Sequence, residues 1–337
     1  MRLIFCLFFL PLALIAQNGA VHKSPERIEV ELEDTESLFR KTKKMFNPYY
    51  TGPLITPTTE MMPVGQANIQ PFMFITGNYA NFDEDRHSIP LLHNSYQFKV
   101  VVPIQIGVTD STDVTITPSA TANWQNNMSG GGFGDLVTTY GFLIFTETVY
   151  IPQFKFTISE QFPTGRYKNL TSLGLNGSGE GSYQTQFGFV TSKIIWWTYP
   201  YPINTHLFLG YNIATDVNVS GFNNYGGGFG TKGRVRPGNT STADFGFELS
   251  FSQHWVFACD LAYTAQDRTK FHGIPGRAAD GTPADVGSGF NDNLSLAPAI
   301  EYNFSDMLSI LWGVQFSVYG RNSQNFVNGQ FSCEYQW

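Results

Sequence analysis

From Tyr96 to Val108 every even-numbered residue is apolar: Tyr96, Phe98, Val100, Val102, Ile104, Ile106 and Val108. A period of two places them all on one face of a β-strand. The alternation returns in segment after segment until the chain ends on Trp337. An apolar face repeated this often must be covered by a second sheet or by lipid, and the rest of the sequence decides between the two.

The N-terminus sets the compartment. Arg2 gives a positive start, Leu3 to Ile15 is apolar, and Ala16 offers a small residue for cleavage before Gln17. Such a stretch is too short to span a bilayer and fits a secretory signal over 1–16. No later run approaches the ~18 consecutive apolar residues of a membrane helix. Mean hydropathy is −0.15, as expected of a wall polar on one side. Aromatic residues make up 15% and charged residues 14%, with 33 glycines, which suits aromatic-rich strands joined by glycine-rich loops. Cys259 and Cys333 fall on separate strands at outward parity, which argues against a disulfide framework.

Alternating runs at 71–80, 95–109, 112–124, 134–146, 152–162, 183–195, 204–217, 242–253, 254–265, 291–304, 307–320 and 326–337 make twelve strands. An even number is what a bacterial single-chain barrel requires. The expected fold is therefore all-β: a transmembrane up-and-down antiparallel β-barrel over 68–337, with an N-terminal arm. Connections at 81–94, 125–133, 163–182, 218–241, 266–290 and 321–325 are read as outside loops. Those at 110–111, 147–151, 196–203, near Ser252 and at 305–306 are read as short periplasmic turns.

Charge placement favours lipid over a second sheet. Outward strand positions carry only Glu160, Lys193 and Asp292, all near strand ends. Inward positions carry Lys99, Asp113, Asp135, Lys155, Asp216, Asp244, Glu248, Asp260, Glu301 and Glu334, the expected lumen or solute path. A basic residue at mid-depth on the lipid face costs about 2–4 kcal/mol, and water imposes no such exclusion. Outward Tyr96, Trp124, Tyr183, Trp255, Tyr263, Tyr335 and Trp337 favour strand ends, as interfacial girdles do. The expected surroundings are outer-membrane lipid and lipopolysaccharide, with assembly through the barrel-assembly machinery at the C-terminal Trp337.

Twelve strands enclose a narrow lumen, between the filled eight-stranded and the open sixteen-stranded barrels. Its acid-rich wall disfavours anions. Glu248 and Asp260 fall one diagonal step apart and are expected to share a proton or hold a cation. The candidates for that cation are Lys99, Lys155 and the run Arg40, Lys41, Lys43 and Lys44. That run belongs to an arm over 17–67, periplasmic or lumen-entering. There Leu38, Phe39, Met45 and Phe46 share one face of a short helix, and Pro48, Pro53, Pro57 and Pro63 prevent longer regular structure.

Ten of the twenty basic residues (Arg86, Arg166, Lys168, Lys232, Arg234, Arg236, Arg268, Lys270, Arg277 and Arg321) lie in the outside loops, suited to anionic lipid phosphates. The glycine-rich stretches 130–134, 174–181 and 226–230 lead into no helix and lack a P-loop lysine, so they read as mobile loops. No metal spacing, hydrolase motif, cofactor motif or nucleic-acid signature is present, and the expectation is a non-enzyme.

Gly134-Asp135-Leu136, opening a strand that contains Tyr140, precedes Phe162-Pro163-Thr164-Gly165-Arg166-Tyr167 at the end of the next strand. The pair resembles the signature of the "MetA-pathway of phenol degradation" family. The resemblance implies an outer-membrane barrel of transporter-like character, with Asp135 and the Pro163-Thr164-Gly165 turn at the extracellular rim. The function expected is passage of small solutes, of which aromatic or apolar ones are one class. The alternative is a structural or adhesive surface barrel with a plugged lumen.

Overall fold

The computed structural model describes residues 25–45, 51–278 and 280–337. The expected signal, 1–16, and Phe46 lie outside the described residues. Twelve strands close into one antiparallel barrel: β1 (Ala67–Ile69 and Phe72–Phe82), β2 (Ser88–Val101 and Ile104–Thr109), β3 (Thr112–Thr117 and Ser119–Gln125), β4 (Met128–Phe133 and Leu136–Phe145), β5 (Gln153–Phe162) and β6 (Gln184–Ile195) form one half. The other half is β7 (Ile203–Ala214), β8 (Thr240–Ser250), β9 (Trp255–Gln266), β10 (Asn291–Asn303), β11 (Leu308–Arg321) and β12 (Ser323–Gln336). Each strand pairs with its chain neighbours, and β12 returns to β1. The seam ends on a reciprocal pair: the Ala67 amide donates to the Trp337 carbonyl and the Trp337 amide to that of Ala67, both at 3.0 Å. Closure leaves no unpaired edge, the condition for a sheet in hydrocarbon.

Even residues of β6 to β9 face inward and odd residues outward, and the odd side is an apolar band. Phe142, Phe156 and Phe187 stack along it with centroids 6.5 Å apart, and Phe154 and Phe189 continue it at 6.0 Å. At the short-turn end Trp255, Tyr302, Phe304 and Trp312 form an aromatic girdle, with Trp255 and Tyr302 4.6 Å apart. The outward charges sit at strand ends and are partnered: Glu160 accepts from Thr185 at 2.7 Å, Lys193 pairs with Glu147 at 3.0 Å, and Asp292 takes both Arg86 nitrogens at 2.5 and 2.7 Å. Phe189→Arg, in mid-band, should destabilise the barrel by about 2–4 kcal/mol. Urea titration in lipid vesicles measures this, and an unchanged midpoint would show that the band does not face lipid.

Three connections differ from expectation. Residues 83–87, the pair Asn126-Asn127 and the single Asn322 are tight turns, because the flanking strands run on past the apolar band. Asn126 and Asn127 have φ of 52° and 59°, the left-handed pair of a two-residue hairpin turn. The stretch 130–134, read as a mobile loop, is largely strand: Gly130, Gly131 and Gly132 pair with Asn123, Ala122 and Thr121.

The other three outside connections are long. Val217–Ser220, Lys232–Arg236 and Lys270–Ile274 build a three-stranded sheet above the rim. Its inner face buries Val217, Val219 and Val235 against Tyr167, Tyr225, Phe271 and Val286. Its outer face exposes Lys232, Arg234, Arg236, Lys270 and His272.

Candidate functional site, a lumen crossed by the N-terminal segment

The arm divides into two parts. Pro25–Met45 is a helix, α1, of 21 residues rather than one short turn. Its final turns pack on the β6–β7 connection, where Thr42 is fully buried and donates to the Trp196 carbonyl at 3.3 Å. Phe39 lies beneath the ammonium groups of Lys43 and Lys193. Arg40, Lys41, Lys43 and Lys44 are exposed on this helix, with Arg40 bonded to Glu36 and Lys43 3.6 Å from Glu147. The basic run does not reach Glu248 or Asp260.

Residues 51–66 instead cross the lumen. At one side Thr51 bonds Ser309 of β11 at 2.5 Å, and Leu54 packs among Ala258, Ala297, Ala299 and Leu311. In the middle Asp260 accepts from the Ile55 amide at 3.2 Å, the Thr56 amide at 3.0 Å and the Thr56 hydroxyl at 2.6 Å. On the far side Gln153 donates to the Thr59 carbonyl at 2.8 Å, while Lys155 and Gln105 reach the Glu60 carbonyl at 3.1 and 3.2 Å. An extended, proline-broken segment cannot satisfy its own backbone, and the inward side chains of the wall do so for it.

Two glycines make room for the crossing. A Cβ at Gly107 would lie 2.1 Å from the Pro63 carbonyl oxygen, where the segment joins the wall beside β2. One at Gly246 would meet Pro53, Thr56 and Asp260 within 3.0 Å.

The predicted carboxylates are placed as follows. Asp113 pairs with Lys155 at 2.7 Å, so that lysine is committed and does not lie between Glu248 and Asp260. Gln105 also donates to Asp113, at 2.6 Å. Glu248 and Asp260 are both fully buried, but no described cation joins them: Asp260 holds the crossing segment, and Glu248 bonds His206 at 2.6 Å. Asp244 is buried on the same inner face. Glu301 accepts from Asn303 at 2.8 Å and Glu334 from Asn68 at 2.6 Å. Asp216 is a correction. It lies beyond the end of β7, outside the lumen, 2.9 Å from Arg234 in the extracellular sheet.

His206 links Ser192, at 2.8 Å on Nδ1, to Glu248 on Nε2. The sequence suggests no such ladder: Ser192 on β6 lies directly opposite His206 on β7, and Glu248 on β8 reaches it diagonally. Ser192 accepts a further bond from the Thr59 amide at 3.4 Å, so the hydroxyl also faces the crossing segment. Among the described residues no group of acidic, histidine and cysteine side chains is arranged to hold a metal.

Above the segment, the β5–β6 connection folds into the barrel mouth. Asp135 holds it there: one carboxylate oxygen accepts from the Gly165 amide at 2.8 Å, the other from the Glu180 amide at 2.7 Å and Gln161 at 2.9 Å. Thr164 completes the clasp, donating to the Gly134 carbonyl at 2.9 Å and accepting from the Leu136 amide at 3.0 Å. The two motifs that carried the family resemblance thus bind each other. Lys99 faces Asp135 and Glu180 across a cavity of about 320 Å3. Asp135→Ala should release the loop, with trypsin cleaving at Arg166 and Lys168 about tenfold faster in vesicles; an unchanged rate would mean the loop is held elsewhere.

No family model and no curated protein matches the chain. Among solved structures it is similar to the COG4313 outer membrane channel from Pseudomonas putida F1, with a TM-score of 0.64 at 12% identity over 82% of this chain and 97% of that one. Weaker likenesses include the NanC porin (TM-score 0.38, 11% identity, 78% and 98% covered) and the translocator domain of the autotransporter NalP from Neisseria meningitidis (TM-score 0.45, 12% identity, 91% and 97% covered). The protein is a bacterial outer-membrane β-barrel. Its fold is a closed twelve-stranded antiparallel barrel, the fold it shares with the COG4313 channel.

Proposed function

We propose that the protein is an outer-membrane channel for small solutes, held shut at rest by its own residues 51–66 acting as a plug. The observation that supports this is the character of the crossing. A segment welded into a dry core would be apolar throughout, whereas this one is held largely by hydrogen bonds to polar side chains of the wall, groups that water can also serve. Once it withdraws, a lumen lined by Asp113, Asp244, Asp260, Glu301 and Glu334 remains, and field focusing between low-dielectric walls favours cations and neutral solutes over anions. The Asp135 clasp supports a place in the family its motifs resemble.

The exposed basic face of the extracellular sheet turns away from the barrel axis, since the opposite face packs on Tyr225 and Val286. It suits the phosphates of lipopolysaccharide. Trp337, whose backbone closes the seam, is the residue that the assembly machinery would read. The ordered cap also supports a second reading, a surface barrel whose loops bind and whose lumen stays blocked. Planar-bilayer recordings of the chain with and without residues 51–62 separate the two: current that rises on deletion supports the channel, and silence in both forms supports the surface barrel.

A further inference from the structure

At the barrel mouth, beneath the long connections, lies a cavity of about 380 Å3, within the range of small-molecule sites. Its walls come from the ends of β5, β6, β7 and β9 at the barrel mouth and from the overlying loops. The side chains that define it are Gln161, Gln184, Gln266, Asn224, Thr269 and Ser288, with Tyr225 along one side. We propose that this chamber is a binding site for a small, uncharged, polyhydroxylated solute of sugar type. The inference rests on the channel reading for its role in transport and names the class of solute carried.

The chemistry follows from what these groups offer. A carboxamide presents two N–H donors and two acceptor lone pairs in one plane. A hydroxyl both donates and accepts, so adjacent hydroxyls on a ring match adjacent carboxamides. The amides are already oriented. Gln184 donates to Ser182 at 3.0 Å and accepts from Asn212 at 2.6 Å; Gln266 accepts from Asn291 at 3.0 Å; Gln161 donates to Asp135 at 2.9 Å; Asn224 donates to the Gly179 carbonyl. Each is fixed by a neighbour and keeps further donors or lone pairs for a guest, so little rotamer freedom is lost on binding. Tyr225, anchored by its hydroxyl to the Glu180 carbonyl at 2.7 Å, supplies an aromatic surface for the C–H face of a ring.

An aromatic hydrocarbon fits this lining poorly. It would strip water from several amides and hydroxyls and return nothing, at a cost of about 1–3 kcal/mol for each group left unsatisfied. An anion would meet the Glu180 carboxylate, and the nearby positive charge, Lys99, lies in the adjoining cavity beyond Glu180.

The test uses the full chain in a detergent without a sugar headgroup, with radiolabelled sucrose in equilibrium dialysis and phenol as competitor. Saturable sucrose binding that phenol does not displace, weakened about tenfold in both Gln184→Leu and Gln266→Leu, is the expected result. Heat-modifiable migration of each variant on gels checks that it folds. Absence of saturable binding by the wild type, affinity unchanged in both variants, or displacement by phenol overturns the proposal. Conductance is read separately. A chain that binds sucrose but never conducts keeps this site and loses the channel, whereas one that conducts and ignores sucrose does the reverse.

Discussion

A chain lacking residues 51–62 should conduct steadily in planar bilayers where the full chain is nearly silent. The deletion is chosen to end before the segment joins the wall. Gly65 and Gln66 bond Gly107 and Pro63, and Ala67 pairs with Trp337, so β1 and the seam survive intact. What is lost is the strip of chain that spans from Ser309 to Lys155. The freed inner groups (Asp260, Gln153, Gln105 and the Asp113–Lys155 pair) then face water, which serves them well, so the wall loses little stability. Selectivity for potassium over chloride should appear with the current, because the opened lumen carries Asp113, Asp244, Asp260, Glu301 and Glu334 against Lys155. If the shortened chain folds, shows heat-modifiable migration and still passes no current, the lumen is blocked by the inserted β5–β6 loop and the plug assignment fails.

Asp260→Ala should act in the same direction without removing any backbone. Three donors of the segment converge on this carboxylate, and bonds to an ionised acceptor each contribute about 1.5–3 kcal/mol. They are not additive, since water can reach some of the freed donors. A net loss of roughly 3 kcal/mol raises the ratio of open to shut states about a hundredfold. Asp260→Asn keeps an acceptor oxygen and should fall between the two. Single-channel open probability in the three proteins measures this. Equal open probability in all three would show that the segment is held by Leu54 in its alanine-lined recess, and not by the carboxylate.

The sequence made the wall legible because lipid enforces the alternation. Each of the twelve apolar runs meets a strand, within a few residues, wherever one face must be greasy. Above the band both faces see water, the alternation fades, and the hairpin ends at 83–87, Asn126-Asn127 and Asn322 look like loops. Asp216 shows the same effect: strand parity extended two residues past Ala214 places it inward, but the chain has already left the wall there.

The plug was hidden for a different reason. Residues 51–66 have no period, since their backbone is satisfied by scattered side chains rather than by a ladder. A signal was available in the wall itself. Gly246, Ala258, Ala297, Ala299 and Gly313 are all small and all inward, and such a patch in a narrow lumen marks a place where something else must fit. Opposite charge points to the basic run at 40–44 as a partner for the carboxylates, yet Asp260 is served by amides and a hydroxyl instead.

The short link from Met62 to Ala67 carries one more consequence. Since β1 begins there, a withdrawn stopper stays leashed at the inner mouth, and its return is an intramolecular event. Short flexible leashes give local concentrations on the order of millimolar. On the proposed channel reading, the pore would therefore reseal without help after each opening, in brief bursts rather than sustained leakage across the cell's outer barrier.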